Sequence, residues 1–395
     1  MTGWLQDDGL RAVLSALGDA DTTRVVGGAV RDRLLGLPVS DIDLATRLSP
    51  EDVLHRLEAA GLKAVPTGLA HGTITAVTAG RPFEVTTLRR DVATDGRHAE
   101  VVFTDDWRID AARRDFTINA LYADPATGAV FDYCGGLADI ETRTLRFIGD
   151  PLQRIAEDHL RILRFFRFHA RFGSGRPDAA GFAACVARAN DLMALSRERI
   201  RDELFKLLRA VDPVPTLTVM LDAGILVPVL PEISKAGLDG LARLVAIETA
   251  VGERGSAIRR LAALLPPDAV LLEDLAARLR LSKAERKRLV ATAARLDGVP
   301  DDIGPLAYRS GIEGACDLLL LAAPDAAAVR DRLPSLETWV RPQLPVSGRD
   351  ILALGVEKGP DVAQALKDIE GDWIAAGFPP GRDAVFAIAK VRLAR

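Results

Sequence analysis

Cysteine is scarce in this chain. Cys134, Cys185 and Cys316 are the only three in 395 residues, and they sit far apart with no redox or metal spacing. That argues against a disulfide scaffold and against a cysteine-ligated zinc site. No apolar run approaches the roughly 20 residues needed to span a bilayer. The segment MTGWLQDDGLR is acidic and lacks the basic-then-apolar layout of a signal peptide. A cytoplasmic chain with no membrane partner is the expectation. Charge of one sign is not in excess either: Lys+Arg is 51, Asp+Glu is 55, and the formal net charge is −4. Bulk positive charge therefore does not hold this chain to nucleic acid, although a local basic groove is still allowed. There is no fixed-period repeat and no low-complexity tail.

What is present reads as folded. The chain is 48% hydrophobic and 27% charged, and is long enough for two or three domains. Residues 1–22 suggest a helix ending near Gly18. Short runs rich in Val, Ile, Thr and Phe follow: 23–26, 39–44, 73–77, 83–88, 101–103 and 144–148. Helical stretches at 50–60 and 111–122 lie between them. After Asp150-Pro151 the strand signals stop, and Leu/Ala/Arg-rich helices punctuated by Gly and Pro run to the end. The expected fold is an α+β head (1–148) with a mixed five-stranded sheet. An all-α neck (149–210) and a helical body and tail (211–395) follow it.

The densest chemical signal is Val25-Val26-Gly27-Gly28-Ala29-Val30-Arg31-Asp32, followed by Asp41-Ile42-Asp43. A strand entering two glycines and then a helix brings backbone N–H groups close to a phosphate. Arg31, on the first turn, has the reach for the same phosphate. On a strand, Asp41 and Asp43 share a face, and two bare carboxylates repel unless a cation lies between them. Hard oxygen ligands suit Mg²⁺. Glu84, inside a β-like run, is either a third carboxylate of that site or a charge on a solvated face. Arg113 and Arg114 open the expected 111–122 helix, where they oppose its dipole unless a phosphate answers them. Asn119 either fixes the neighbouring loop or is simply a buried hydrogen-bonding residue. Placed on one helix, residues 154–170 put Glu157, Arg161, Arg164 and Arg167 on one half and Ile155, Ile162 and Phe166 on the other. Residues 151–210 hold 12 Arg+Lys against 7 Asp+Glu.

These blocks together resemble the class II tRNA nucleotidyltransferases, the CCA-adding family within the polymerase-β nucleotidyltransferase superfamily. Residues 67–73 (TGLAHGT) resemble its strand-entry motif, and Arg89-Arg90-Asp91 through Asp105 its flexible loop. Residues 113–120 (RRDFTINA) and 157–161 (EDHLR) resemble two further motifs. The clear match covers about 23–210. The resemblance implies template-independent addition of C, C and A to tRNA from CTP and ATP with Mg²⁺, and no DNA partner. It implies that Asp41 and Asp43 hold the metal and that Gly27, Gly28 and Arg31 grip the triphosphate. Asp158 and Arg161 would present hydrogen-bonding edges to the base, with Glu157 orienting Arg161. Arg114, Arg164 and Arg167 would neutralise phosphate or hold that template. Three rivals stand beside this reading. A poly(A) polymerase shares the metal motif, but residues 61–73 carry one Lys and no Arg where its basic element is expected. Enzymes adding only C or only A are the second rival, and the loop at 89–106 has full length. A catalytically silent RNA-binding protein is the third, against which Asp41 and Asp43 speak. All five histidines precede residue 170, so a His-Asp phosphohydrolase site in the C-terminal half is excluded.

Overall fold

The computed structural model describes residues 6–94 and 99–393; Asp95 to His98, part of the expected 89–105 motif, lie outside the described residues. The chain divides into two compact units, Met1–Pro231 and Glu232–Arg395.

The first unit is built on a seven-stranded mixed sheet in the order β3-β4-β5-β2-β1-β8-β9. Its strands are β1 (Thr23–Val26), β2 (Asp43–Thr46), β3 (Lys63–Gly68), β4 (Thr73–Thr78), β5 (Arg81–Thr87), β8 (Leu121–Ala123) and β9 (Val130–Asp132). β6 (Arg89–Thr94) and β7 (Ala99–Phe103) form a separate antiparallel pair. Only β2 and β5 run parallel. Alternation along the strands sorts the two faces. Val25, Leu44, Ile74, Phe83, Val85 and Leu121 face α1 (Asp8–Leu17) and α3 (Pro50–Ala59) in one core. Val26, Ala45 and Tyr122 face α4 (Trp107–Ala112) on the other side. The helix limits follow from capping: Asp7 accepts from the Gly9 and Leu10 amides, and Ser49 accepts from the Asp52 amide.

Four expectations are corrected. The sheet has seven strands, because three-residue strands such as Leu121–Ala123 and Val130–Asp132 carry little β signal of their own. Residues 144–148 form no strand; Phe147 makes a single bridge to Phe116 and stacks on Phe165 at 5.3 Å. The 111–122 helix is absent: α4 stops at Ala112, a 3₁₀ turn covers Thr117–Asn119, and β8 follows. There the Asp115 carboxylate takes the Phe116 amide and the Asn119 side chain, competing with helical bonding. The single helix over 154–170 is two: α6 (Pro151–Glu157) and α7 (Arg161–Phe172), broken where Asp158 is extended. Between α4 and α6 lies α5 (Gly136–Glu141), and α2 (Gly28–Leu34) follows β1. The first unit continues through α8 (Ala179–Ala187), α9 (Arg197–Leu208) and α10 (Val214–Asp222).

The second unit is helical in its described residues. α11 (Lys235–Val251), α12 (Ala257–Leu264), α13 (Ala269–Arg278), α14 (Lys283–Ala291) and α15 (Gly304–Ala322) pack around a buried charge network. Glu248 accepts from Arg259 and Arg260, each at 2.7 Å, and Asp317 accepts from Arg259 and Arg288. Further on, Trp373 packs against Tyr308 and Phe378. Among the described residues, no helix is long and apolar enough to cross a membrane.

Gly136 tests the packing of the first unit. A Cβ there would stand 2.3 Å from the Thr117 carbonyl oxygen, which is backbone and cannot swing away. Gly136→Ala is expected to cost about 1–3 kcal/mol, read by urea unfolding.

Candidate active site

β1 ends at Val26, and the chain turns through Gly27 into α2. Gly27 has φ +71° and ψ −124°, a conformation that side chains disfavour, so glycine is needed here. Its amide donates to the Leu121 carbonyl at 2.9 Å and pins the corner against β8. A Cβ on Gly27 would lie 3.6 Å from Arg114 Nη1, so that guanidinium stands beside the corner. Gly28 opens α2. Arg31 is 5% exposed, with Nε on Asp32 Oδ1 at 2.8 Å, Nη1 on Asn119 Oδ1, and the Phe172 ring 4.0 Å away. It braces the corner from behind. Asn119 is thus buried and fixes that loop through Arg31.

The register places the carboxylates. Asp43 opens β2 opposite Val26 on one side and Glu84 on the other. Residues paired across strands share a face, so Asp43 and Glu84 stand side by side beyond the end of β1. Strand structure begins only at Asp43, so Asp41 reaches the site from the preceding loop; its Oδ2 accepts from Ser40 Oγ at 3.0 Å. All three carboxylates are open to water. The Asp43 carboxyl is nevertheless raised above the usual range. The surrounding wall of protein costs its charge hydration, Glu84 and Asp41 add like charge, and Arg114 only partly opposes them. An under-neutralised set of hard oxygens fits a divalent cation. Among the described residues, no three metal-ligating side chains converge as a ready ligand set. Glu84 therefore stands beside the pair without closing a cage around it.

Arg114 is aimed by a buried acid. Asp110 is 1% exposed and accepts from Arg113 Nε at 2.8 Å, Arg114 Nη2 at 3.0 Å and the Tyr122 hydroxyl at 2.7 Å. Burial alone would raise its pKa. The Arg114 and Arg113 charges outweigh that and draw it to about 2. Both arginines follow the C-terminal end of α4, where the helix dipole favours cations. This corrects the expectation that they oppose a helix N-terminus and need a phosphate to explain them.

Residues 157–161 lie at the break between α6 and α7. Arg161 Nη1 donates to Glu157 Oε2 at 2.6 Å and to the Arg154 carbonyl at 2.9 Å. Asp158 accepts from the Leu160 amide at 3.1 Å through one oxygen and from Arg199 Nη2 at 2.8 Å through the other. Arg164 binds Asp115 Oδ2 through Nε at 2.8 Å and Nη2 at 2.5 Å; that pairing holds the Asp115 carboxyl below its usual range despite burial. Arg167 pairs with Glu203 at 2.5 Å and lies 4.0 Å from the Phe168 ring. Of the twelve cations in 151–210, nine pair with acids: Arg154, Arg161, Arg164, Arg167, Arg171, Arg188, Arg199, Arg201 and Lys206. Most of that local positive charge is thus balanced within the protein.

Sequence reading passed over Asp110, Tyr122, Arg199 and Glu203. Asp110 had a signal, since it stands three and four residues before Arg113 and Arg114. Arg199 lies 41 residues from Asp158 and had none.

Asp110 makes a pH prediction. Its folded pKa near 2 lies below the unfolded value of about 3.9. Its stabilisation is complete above that unfolded value and is lost as pH falls towards 2. Asp110→Asn is expected to cost about 3–5 kcal/mol at neutral pH, by leaving two guanidinium groups without their carboxylate. The gap between wild type and variant in urea unfolding is expected to shrink below pH 4.

Comparison with known proteins agrees with this geometry. Residues 23–146 match the poly A polymerase head domain, and residues 178–236 match a probable RNA and SrmB-binding site of polymerase A. The mitochondrial CCA tRNA nucleotidyltransferase 1 of Mus musculus is 35% identical over 386 residues, covering 93% of this chain and 86% of that protein. A CCA-adding enzyme of Levilactobacillus brevis is 32% identical over 377 residues, covering 92% of each. The likeness thus continues well past residue 210, through helices whose sequence shows no usable motif. The crystal structure of the Bacillus stearothermophilus CCA-adding enzyme in complex with CTP superposes with a TM-score of 0.76 at 26% identity, covering 100% of this chain and 98% of that one. The chain belongs to the CCA-adding tRNA nucleotidyltransferase family.

Proposed function

We propose that this chain completes tRNA 3′ ends with C, C and A from CTP and ATP, using the carboxylates beside the Gly27 corner for chemistry and the α6–α7 break for base choice. The observation that carries the reading is the juxtaposition at the end of β1. A backbone corner suited to phosphate, the Arg114 cation and under-neutralised carboxylates meet where β1 ends among the central strands.

Asp41 and Asp43 would hold Mg²⁺, which, when bound, makes the attacking hydroxyl more acidic and stabilises charge on the leaving pyrophosphate. Glu84 adds negative charge beside Asp43. Gly27 and Gly28 let the triphosphate approach the backbone, with the Arg114 guanidinium beside the corner. Arg31, Arg164 and Arg167 act as struts: Asp32 and Asn119 take up the Arg31 fork, Asp115 takes two Arg164 nitrogens, and Glu203 takes Arg167 Nε. Asp158 and Arg161 form the edge that reads the base. Glu157 and Arg154 fix Arg161, and Arg199 fixes Asp158. A planar donor fork beside an acceptor suits cytosine and adenine and leaves groups unpaired against guanine or uracil.

An extension assay on tRNA transcripts ending before CCA, after C and after CC tests this reading. Addition is expected to stop at a finished CCA. A long A ladder would point to a poly(A) polymerase, and addition of only C or only A to a partial enzyme. Asp41→Ala is expected to lower the rate by roughly a thousandfold while the protein stays folded. Arg161→Ala is expected to lower selectivity for CTP and ATP over GTP and UTP by about tenfold or more, measured as ratios of kcat/KM.

A further inference from the structure

The Gly27 corner and the Arg114 guanidinium come from separate stretches of chain, yet one short strand fixes both. β8 lies beside β1, with Val26 paired to Tyr122 and Val25 to Ala123. One residue earlier, the Leu121 carbonyl accepts from the Gly27 amide at 2.9 Å and holds the corner. Tyr122 supplies the second fixing point. Its hydroxyl donates to Asp110 Oδ2 at 2.7 Å, and Arg114 Nη2 donates to the same oxygen at 3.0 Å. Arg114 Nη1 makes no hydrogen bond among the described residues, and it is the nitrogen beside Gly27. The Arg114 side chain is 20% exposed, so that end of the fork faces an open site. The Arg114 charge also reaches the Asp43 carboxyl, whose pKa it lowers against burial and the Glu84 charge.

Tyr122 can serve as a fixed reference. Its side chain is fully buried, and its ring meets Trp107 edge-on at 5.3 Å and Tyr133 edge-on at 5.9 Å. A hydroxyl on a ring packed in this way donates from a constant point. The other Asp110 oxygen accepts from Arg113 Nε at 2.8 Å and from the Arg89 amide at 3.3 Å. Of these donors to Asp110, only Tyr122 belongs to the seven-stranded sheet that carries the corner. Without its hydroxyl, the carboxylate that grips Arg114 has no bond to that sheet. A long arginine side chain is useful to a reacting phosphate only when its fork is held in place beforehand.

We propose that Tyr122 is a positioning residue for the triphosphate: through Asp110 it holds Arg114 Nη1 beside the Gly27 corner, so that one phosphate chain meets both. The inference rests on the role proposed above for that corner. Tyr122 is buried and acts only through Asp110 and Arg114. Its loss therefore weakens the grip on the phosphate chain and leaves base choice, made at Asp158 and Arg161, as it was.

The test measures inorganic tripolyphosphate as a competitor of CTP, using the full-length protein, fixed free Mg²⁺ and a tRNA ending in C. Tyr122→Phe keeps the ring and removes only the hydroxyl. It is expected to raise the Ki for tripolyphosphate and the KM for CTP about five- to tenfold. The KM for tRNA and the ratio of kcat/KM for CTP over UTP are expected to stay unchanged. A merely structural role lowers the active fraction and does not move a Ki. Arg114→Gln and the double variant complete a cycle, in which Tyr122→Phe is expected to add nothing once Arg114 is gone. If Arg114→Gln weakens tripolyphosphate binding while Tyr122→Phe leaves it unchanged, or if the two losses add in full, the proposal is overturned and the corner keeps its role. If Arg114→Gln changes nothing, the phosphate reading of the corner fails and the proposal with it. Asp110→Glu keeps the charge and lengthens the link by one methylene, and it decides the matter should Tyr122→Phe not fold. It is expected to raise the same Ki, and an unchanged Ki overturns the proposal.

Discussion

The partly buried ion pair between Asp115 and Arg164 joins the loop before β8 to α7. Asp115 sits in the loop between α4 and β8, and Arg164 sits on α7, 49 residues later. The same carboxylate takes the Phe116 amide and the Asn119 side chain. Asn119 in turn accepts from Arg31, which is paired with Asp32, and Asp32 also meets Arg171 on α7. One connected network thus ties the glycine corner of the sheet to the helix that follows residues 157–160. Breaking a buried pair costs far more than an exposed one yields, because the remaining charge loses its counter-ion away from water.

This network changes the meaning of the arginines. A reading by motif treats each as a hand reaching for substrate. In the folded chain, Arg31, Arg164 and Arg167 are held by Asp32, Asp115 and Glu203 and press against the rings of Phe172 and Phe168. Arg114 differs, because Asp110 grips one edge of its fork while Nη1 stays beside Gly27. Rigid positioning of this kind is what phosphoryl chemistry rewards, since its catalysis is largely orientation and charge neutralisation.

Much of the fold and site was legible beforehand. The strands expected at 23–26, 73–77 and 83–88 and the helix expected at 50–60 match β1, β4, β5 and α3 to within two residues, because alternation and capping act over a few residues. The glycine corner and its carboxylates were legible because backbone freedom and paired acids are properties of residue type. Where the reading failed, at 111–122, 144–148 and 154–170, a tertiary partner overrode local preference. Asp115 unwound a helix, Phe147 went to an aromatic cluster, and Asp158 was drawn out to Arg199.

By itself the sequence determined the chemistry available: two carboxylates, a glycine turn, and a donor fork beside an acceptor. These depend on which side chains are present and how closely they are spaced. Only the tertiary structure decided which of them meet one another. Glu84 stands beside Asp43 because two distant strands run parallel in one register, and Asp158 is held by an arginine 41 residues away. Such pairings depend on how strands align and helices pack across long stretches of chain, and that information is not carried by any local run of residues.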